Sequence, residues 1–583
     1  MEEIRIWRSP LAVYDADPDA WNKTDGEATR CATVYSDEVL QDIAGHGFNG
    51  VWLDVHFHDA VFREEFPELG VYAERHQQGI RELIARAARF GIKVYLLMQP
   101  PRAINEDRVE FWKNHAGCAG SVDVLSREWC FNNDKEFNNM ISLCTSTEPV
   151  RKYIRNGFAD LSRALPGLGG YIIISASEFS AHCCTRRFKP ERQCPRCAEL
   201  GAAKVIANLL NDIYSGVRSA SEDMAVIAWD WSWTHVTDRQ SVIDQLDPGL
   251  CYMSDTDRGD EKMILGKLRK IDEYCLSLRG VAKNFAASSE YAISRGMRCI
   301  PKTQCGTTHE LNTVPNLPLV ANLYDKAVWF IKNNCGSFLG CWNFGNMQSA
   351  NTAAFNFFLM HREFSDKMAA LKAFAEYYFP GCDADSVVAN WLKFSDAMDN
   401  FPYDIPDIYT GPQQWALGYF APPGELTGPC GRGFREEPRG DDLEIVLHKG
   451  NFTYEEKLTG YRLTAEGWAA AVPDYVKALK KSSSVHAAEE IATAEVCMAA
   501  FRSAWHLIEI YDIKTTCGTD KAFDKYLQIC AEELAVTKRV LPFLESDSRQ
   551  GFNPEPNAYL FDAPRVRSKI SELEKVLNKE HKR

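Results

Sequence analysis

Along the first 360 residues, short apolar runs alternate with amphipathic stretches, the pattern of repeated βα units around a parallel sheet. Ser36 is placed to cap a helix whose Val39, Leu40 and Ile43 share one face, and Gly45 and Gly47 close it before the apolar run 50–55. The next unit repeats this logic. Ile80, Leu83, Ile84, Ala87 and Ala88 fall at helical spacing, Gly91 ends the helix, and 93–98 reads as a buried strand. Further strands are expected at 170–174, 225–229, 249–253, 298–301 and 337–342, which with 4–7 makes eight. The pattern therefore predicts an α/β fold, a (β/α)8 TIM barrel over residues 1–361, with its active site where strands end and loops begin. Beyond residue 362 the period changes. Met498, Phe501, Trp505 and Ile508, then Phe523, Leu527, Cys530 and Leu534, predict long helices and an α-helical C-terminal domain over 362–583. A Pro/Gly-rich stretch at 401–439 reads as a long loop within it.

Composition narrows the function. A chain of 583 residues exceeds what one hydrophobic core sustains, and 45% apolar with 25% charged residues is ordinary for a globular protein. The formal net charge of −14 argues against nucleic acid or an anionic membrane as partner. No run approaches the roughly 20 apolar residues of a membrane span, and the first residues lack a secretory leader, so a cytoplasmic protein is expected. Its 19 cysteines are then expected to be reduced. Aromatics at 11%, with 14 Trp, suit a carbohydrate, whose C–H faces pack on flat rings. No organic cofactor is indicated, and assembly into a homo-oligomer is left open.

Chemistry gathers at the fourth strand. The run Tyr171-Ile172-Ile173-Ile174-Ser175-Ala176-Ser177-Glu178 sets a carboxylate at the expected C-terminal rim. Glycosidic cleavage needs an acid to protonate the leaving oxygen, and apolar flanks raise a Glu pKa enough to keep that proton. The approach to it, Leu143-Cys144-Thr145-Ser146-Thr147-Glu148-Pro149-Val150, then Phe158 and Leu161, Pro166-Gly167-Leu168-Gly169-Gly170 and the strand itself, resembles family 20 β-N-acetylhexosaminidases. That resemblance implies a retaining, exo-acting glycoside hydrolase with Glu178 as general acid/base and the substrate's acetamido oxygen as nucleophile. The family normally carries Asp before the acid, where this chain has Ser177. Glu310, in Thr307-Thr308-His309-Glu310 after the seventh strand, is the alternative nucleophile of a retaining glycosidase with another sugar specificity.

Other rim positions are candidates for sugar contacts: Asp54 and His56 after strand two, Trp229 and Trp231 at strand five, Asp255 after strand six, His309 after strand seven, and Trp342 with Asn343 after strand eight. Strand alternation would put the indoles of Trp229, Trp231 and Trp233 on one face. His182-Cys183-Cys184 followed by Cys194-Pro195-Arg196-Cys197 predicts a structural zinc knuckle at about 182–197, with four of these five ligands filling a closed tetrahedral site. Two other classes compete. His56-Phe57-His58 imitates the His-x-His of a metal-dependent amidohydrolase, and Ser177 would also suit a non-catalytic sugar-binding barrel.

Overall fold

The computed structural model describes residues 2–15, 21–123, 139–177, 179–364, 366–422, 442–516 and 519–580. They pack as two compact units. The first comprises Met1–Asp255, Phe285–Lys302 and Cys335–Leu339; the second comprises Thr256–Asn284, Thr303–Asn334 and Gly340–Arg583.

The first unit is built on eight parallel strands: β1 (Arg5–Trp7), β2 (Gly50–Asp54), β3 (Lys93–Met98), β4 (Gly170–Ile174), β5 (Ala225–Trp229), β6 (Cys251–Met253), β7 (Arg298–Cys299) and β8 (Phe338–Leu339). Their order in the sheet is β7-β6-β5-β4-β3-β2-β1-β8. The strands at the two ends of this order meet just past β7, where a parallel bridge joins Lys302 to Leu339 and Leu339 N donates to Pro301 O over 2.9 Å. The result is a curled, TIM-like sheet. Val51, Trp52 and Leu53 in β2 and Tyr171, Ile172 and Ile173 in β4 are fully buried, as expected for parallel strands covered on both faces.

Local sequence explains the first units of this pattern. Ser36 Oγ accepts from Val39 N over 3.4 Å at the start of the helix Asp37–Gly45, which buries Leu40 and Ile43. The helix Ala73–Ala88 buries Ile80, Leu83 and Ala87. Gly170 opens β4 with φ +149°, and a Cβ there would lie 2.1 Å from Ala225 O in the neighbouring strand. Only glycine lets β4 and β5 pair from their first residues.

The second unit is helical. Its long helices are Tyr454–Leu479, Val485–Thr516, Thr519–Ser546 and Ala563–Glu580, with Ala384–Met398 beside them. A capping box starts the first: Glu456 N donates to Thr453 Oγ1, and Thr453 N to Glu456 Oε2. Phe394 stacks on Trp468 at 4.4 Å, and Trp468 meets Phe501 at 5.4 Å.

Three expectations change. The division is not a single cut at residue 361. Segments 256–284 and 303–334 are bound into the second unit, for example by Lys262 Nζ donating to Met398 O and Asn316 Nδ2 to Glu490. Of the Pro/Gly-rich stretch, 401–422 is not a loose loop. It folds into short helices, Ile405–Thr410, Pro412–Gln414 and Ala416–Gly418, with Asp407, Gln413 and Trp415 buried; 423–441 lie outside the described residues. In the helix Thr519–Ser546 the buried line is Tyr526, Ile529, Cys530, Glu533 and Thr537, while Phe523, Leu527 and Leu534 are half-buried. A paired carboxylate, Glu533, occupies a place that hydrophobic periodicity reserves for an apolar side chain.

Candidate functional site

The rim of the first unit begins one residue past β1. Arg8 is fully buried, its guanidinium 3.7 Å above the Trp52 ring and 3.1 Å from Glu27. Glu27 also accepts from Asp54 N over 2.8 Å. Burial outweighs the pull of Arg8 and raises the Glu27 carboxyl to about 7. Asp54 and His56 line one small pocket with Asp15, Glu27 and Asp59. Burial raises the Asp54 carboxyl too, against the opposing pull of His56 and Arg8. His56 lies 3.4 Å from Asp59 on one side and 3.4 Å from Arg102 on the other.

Past β3 and β5 the polar groups keep spare hydrogen-bonding capacity. Gln99 Oε1, Arg102 Nε and Nη1, and Asp230 Oδ1 are buried without a partner among the described residues. Gln99 Nε2 donates to Tyr14, and the Arg102 guanidinium lies 4.0 Å over the Phe179 ring. Asp230 Oδ2, by contrast, is saturated by Arg239, Tyr252 and Ser254. Buried polar groups are normally satisfied, so such open valences at strand ends suit a polar ligand.

Trp229 is fully buried with Nε1 3.4 Å from Asp255, and Trp231 meets it edge to face at 5.3 Å. The expected common face for three indoles is not formed. The strand ends at Trp229, the chain turns, and Trp233 is buried instead, donating to Ser175 Oγ over 2.8 Å. Glu178 lies outside the described residues. Its flanks, Ser177 and Phe179, are buried, and the Ser175 carbonyl accepts from His182 Nε2.

Of the predicted zinc ligands, Cys183, Cys194 and Cys197 come together, and the fourth member of the cluster is Cys144. All four sulfurs are buried and lie within 4.8 Å of one another. Sulfur hydrogen bonds from Cys183 and Cys197, then Arg196, hold the Cys144 thiol well below its ordinary value. Neither His182 nor Cys184 joins. His182 uses Nε2 on Ser175 O and Nδ1 on the Cys184 amide, and burial lowers its pKa to about 4. This is the only group of metal-ligating character among the described residues. The His-x-His expected of an amidohydrolase does not converge: His58 bonds Tyr153 and Arg102 O inside the fold.

The remaining candidates belong to the second unit. Glu310 is fully buried; it accepts from Ser277 N over 3.1 Å and Thr308 Oγ1 over 2.8 Å, and Ser277 Oγ donates to it as well. That carboxylate ties its own turn to the segment around Ser277. His309 packs against Phe344 at 4.2 Å and Tyr409 at 4.6 Å, and its carbonyl accepts from Gln414. Trp342 is mostly buried with its amide on Gln304 Oε1. Asn343 is buried with both amide atoms unpartnered among the described residues, as is Asn312.

Sequence reasoning passed over Arg8, Gln99, Arg102 and Cys144. The first three follow strands directly or within a few residues, so the rule applied to Asp54 and Asp255 would have found them. Cys144 stands 50 residues from Cys194 and carries no spacing signal.

No family model matches the chain, and no curated protein matches it by sequence. Among solved structures it is similar to an enzyme of glycoside hydrolase family 138 targeting pectin rhamnogalacturonan II, with a TM-score of 0.50 and 11% identity over 99% of this chain and 67% of that one. It is also matched to a mutant O-GlcNAc hydrolase of Thermobaculum terrenum, TM-score 0.36, 10% identity, 97% and 98% covered. A β-mannanase of the blue mussel Mytilus edulis gives a TM-score of 0.34 and 10% identity over 63% and 93%. At such identities the likeness concerns the fold, and only the first is close enough to carry it.

Proposed function

We propose that this protein is a glycoside hydrolase that uses Glu178 as general acid/base at the carboxyl ends of a (β/α)8 barrel. The observation that supports this reading best is the collection of buried, incompletely hydrogen-bonded groups just past β3 and β5, with the Asp54 and His56 pocket past β2 and the Trp231 indole set edge to face on the buried Trp229. Hydroxyl-rich, uncharged substrates need many such donors and acceptors plus an aromatic face. A fold in common with a glycoside hydrolase that targets a pectin fits the same chemistry. Exo-acting cleavage of β-N-acetylhexosaminides is the first specificity to try. Ser177 in place of Asp leaves the acetamido group without its usual partner, and Glu310 is already bonded by Ser277 and Thr308, so the nucleophile is sought first among the first unit's carboxylates, Asp54 and Asp255.

The deciding experiment is a panel of aryl α- and β-glycosides, acetamido sugars and uronic acids included, assayed with the wild-type protein and Glu178→Gln. Turnover of at least one member by the wild type and none by the variant is expected. Equal turnover by both would remove Glu178 from the chemistry.

A further inference from the structure

Two separate loops of the first unit meet at sulfur. Cys144 follows the strand Met140–Leu143 of a small antiparallel sheet inserted after β3, whereas Cys183, Cys194 and Cys197 lie in the long connection after β4. Cys194 caps the short helix Pro195–Leu200, which carries Cys197 on its buried side.

The sulfur geometry is specific. Cys144 Sγ lies 3.7 Å from Cys194 Sγ and 3.6 Å from Cys197 Sγ. A tetrahedral zinc ion with Zn–S distances of about 2.3 Å requires S···S edges of about 3.8 Å. A disulfide would need about 2.05 Å, and no described cysteine forms one. An iron–sulfur cluster would interpose its own irons and sulfides and spread the thiolates apart. The space fits one ion.

The surroundings are arranged for four thiolates. Arg196 Nε points at Cys144 Sγ over 3.4 Å, and Ser146 Oγ lies 3.2 Å from Cys197 Sγ, both offsetting the negative charge that four thiolates leave on a dication. Ser121 Oγ donates to Cys183 O and accepts from Cys194 N, each at 3.0 Å. Gly120 completes the cradle, since a Cβ there would lie 2.3 Å from Cys183 Sγ.

We propose that Cys144, Cys183, Cys194 and Cys197 hold a structural zinc ion that clamps the insertion after β3 to the loop after β4. Its four positions are filled by protein, so it activates no water. His182 and Cys184 stand outside it. The ion fixes the connection that continues from Glu178, and the proposal does not depend on what reaction the protein catalyses.

Elemental analysis of the full chain, purified without chelator under reducing conditions, should find about one zinc per chain. X-ray absorption at the zinc edge should give four sulfur neighbours near 2.3 Å and no nitrogen. Cys184→Ser should keep the metal, and Cys144→Ser should lose it. Cobalt substituted into the wild type should show intense sulfur-to-cobalt charge transfer with tetrahedral visible bands, unchanged in Cys184→Ser. A wild-type protein that holds neither zinc nor cobalt would overturn the proposal. So would a nitrogen in the shell, or metal lost from Cys184→Ser.

Discussion

The polar groups just past β3 and β5 of the first unit and the ion pairs buried among the long helices of the second are equally hidden from water, yet they are partnered differently. In the helices, charges close on each other: Lys457 Nζ lies 2.7 Å from Asp407, and Glu533 is held by Lys569, His506 and Ser503. At the strand ends, Gln99, Arg102 and Asp230 each keep an atom without a partner among the described residues. Closed networks stabilise or specify a fold, whereas open valences can be met by water or by a ligand. Burial alone does not separate these two sets. Hydrogen-bond closure does, although the second unit also buries open amides at Asn312 and Asn343.

The largest effect is expected at Glu178, which follows β4 in the sequence. Glu178→Gln should lower kcat by about 100- to 10,000-fold, the usual weight of a general acid, with the thermal unfolding midpoint unchanged. A variant that loses stability in step with activity would class Glu178 with the closed carboxylates.

The closed class should respond the other way. Burial alone would raise the Glu533 carboxyl, but Lys569 and His506 outweigh it and hold it well below the usual carboxylate range. Lys569→Met strands that charge and should cost about 3–5 kcal/mol, read as a lower urea midpoint. The double variant Lys569→Met/Glu533→Gln should recover part of the loss. A single-variant cost under about 1 kcal/mol, the level of a surface pair, would mean the cluster is not closed as described.

Legibility in the sequence follows the same line. The first βα units were readable because an apolar run with a period, a cap and a closing glycine marks them, as in 36–55. The positions of Asp54, Trp229 and Asp255 followed from strand ends. What stayed hidden depends on partners distant in the chain. Glu533 is buried because of Lys569 and His506, and Cys144 joins Cys194 across 50 residues. Trp233 left the expected face because the strand stops at Trp229, a boundary no single residue announces.

A third closed carboxylate makes the comparison depend on pH. Burial raises Glu490 to about 7, with Tyr475 and Asn316 bonding it. A carboxyl whose folded pKa lies above its unfolded value gives stability that is full below about 4.5 and is lost as pH rises through about 7. Glu490→Gln has no proton to lose. Relative to the wild type it should gain stability between pH 5 and pH 8, by a few kcal/mol at ~1.4 kcal/mol per pKa unit. Parallel pH profiles for the two proteins would sink this assignment.

The smallest effect tests the open class most directly. Gln99 sits one residue past β3 with Oε1 unpartnered among the described residues and Nε2 on Tyr14. Gln99→Met keeps its length and removes both polar atoms. If the open oxygen serves substrate, KM should rise about tenfold, the weight of one net hydrogen bond near 1.4 kcal/mol, while the urea midpoint stays within the small loss of the Tyr14 contact. If Gln99 is structural, the midpoint falls and KM does not move. Because the same substitution reads both quantities, it can place the residue on either side of the comparison. A rise in KM without loss of stability would make hydrogen-bond closure, rather than burial or charge, the property that separates Gln99 from the closed carboxylates of the helices.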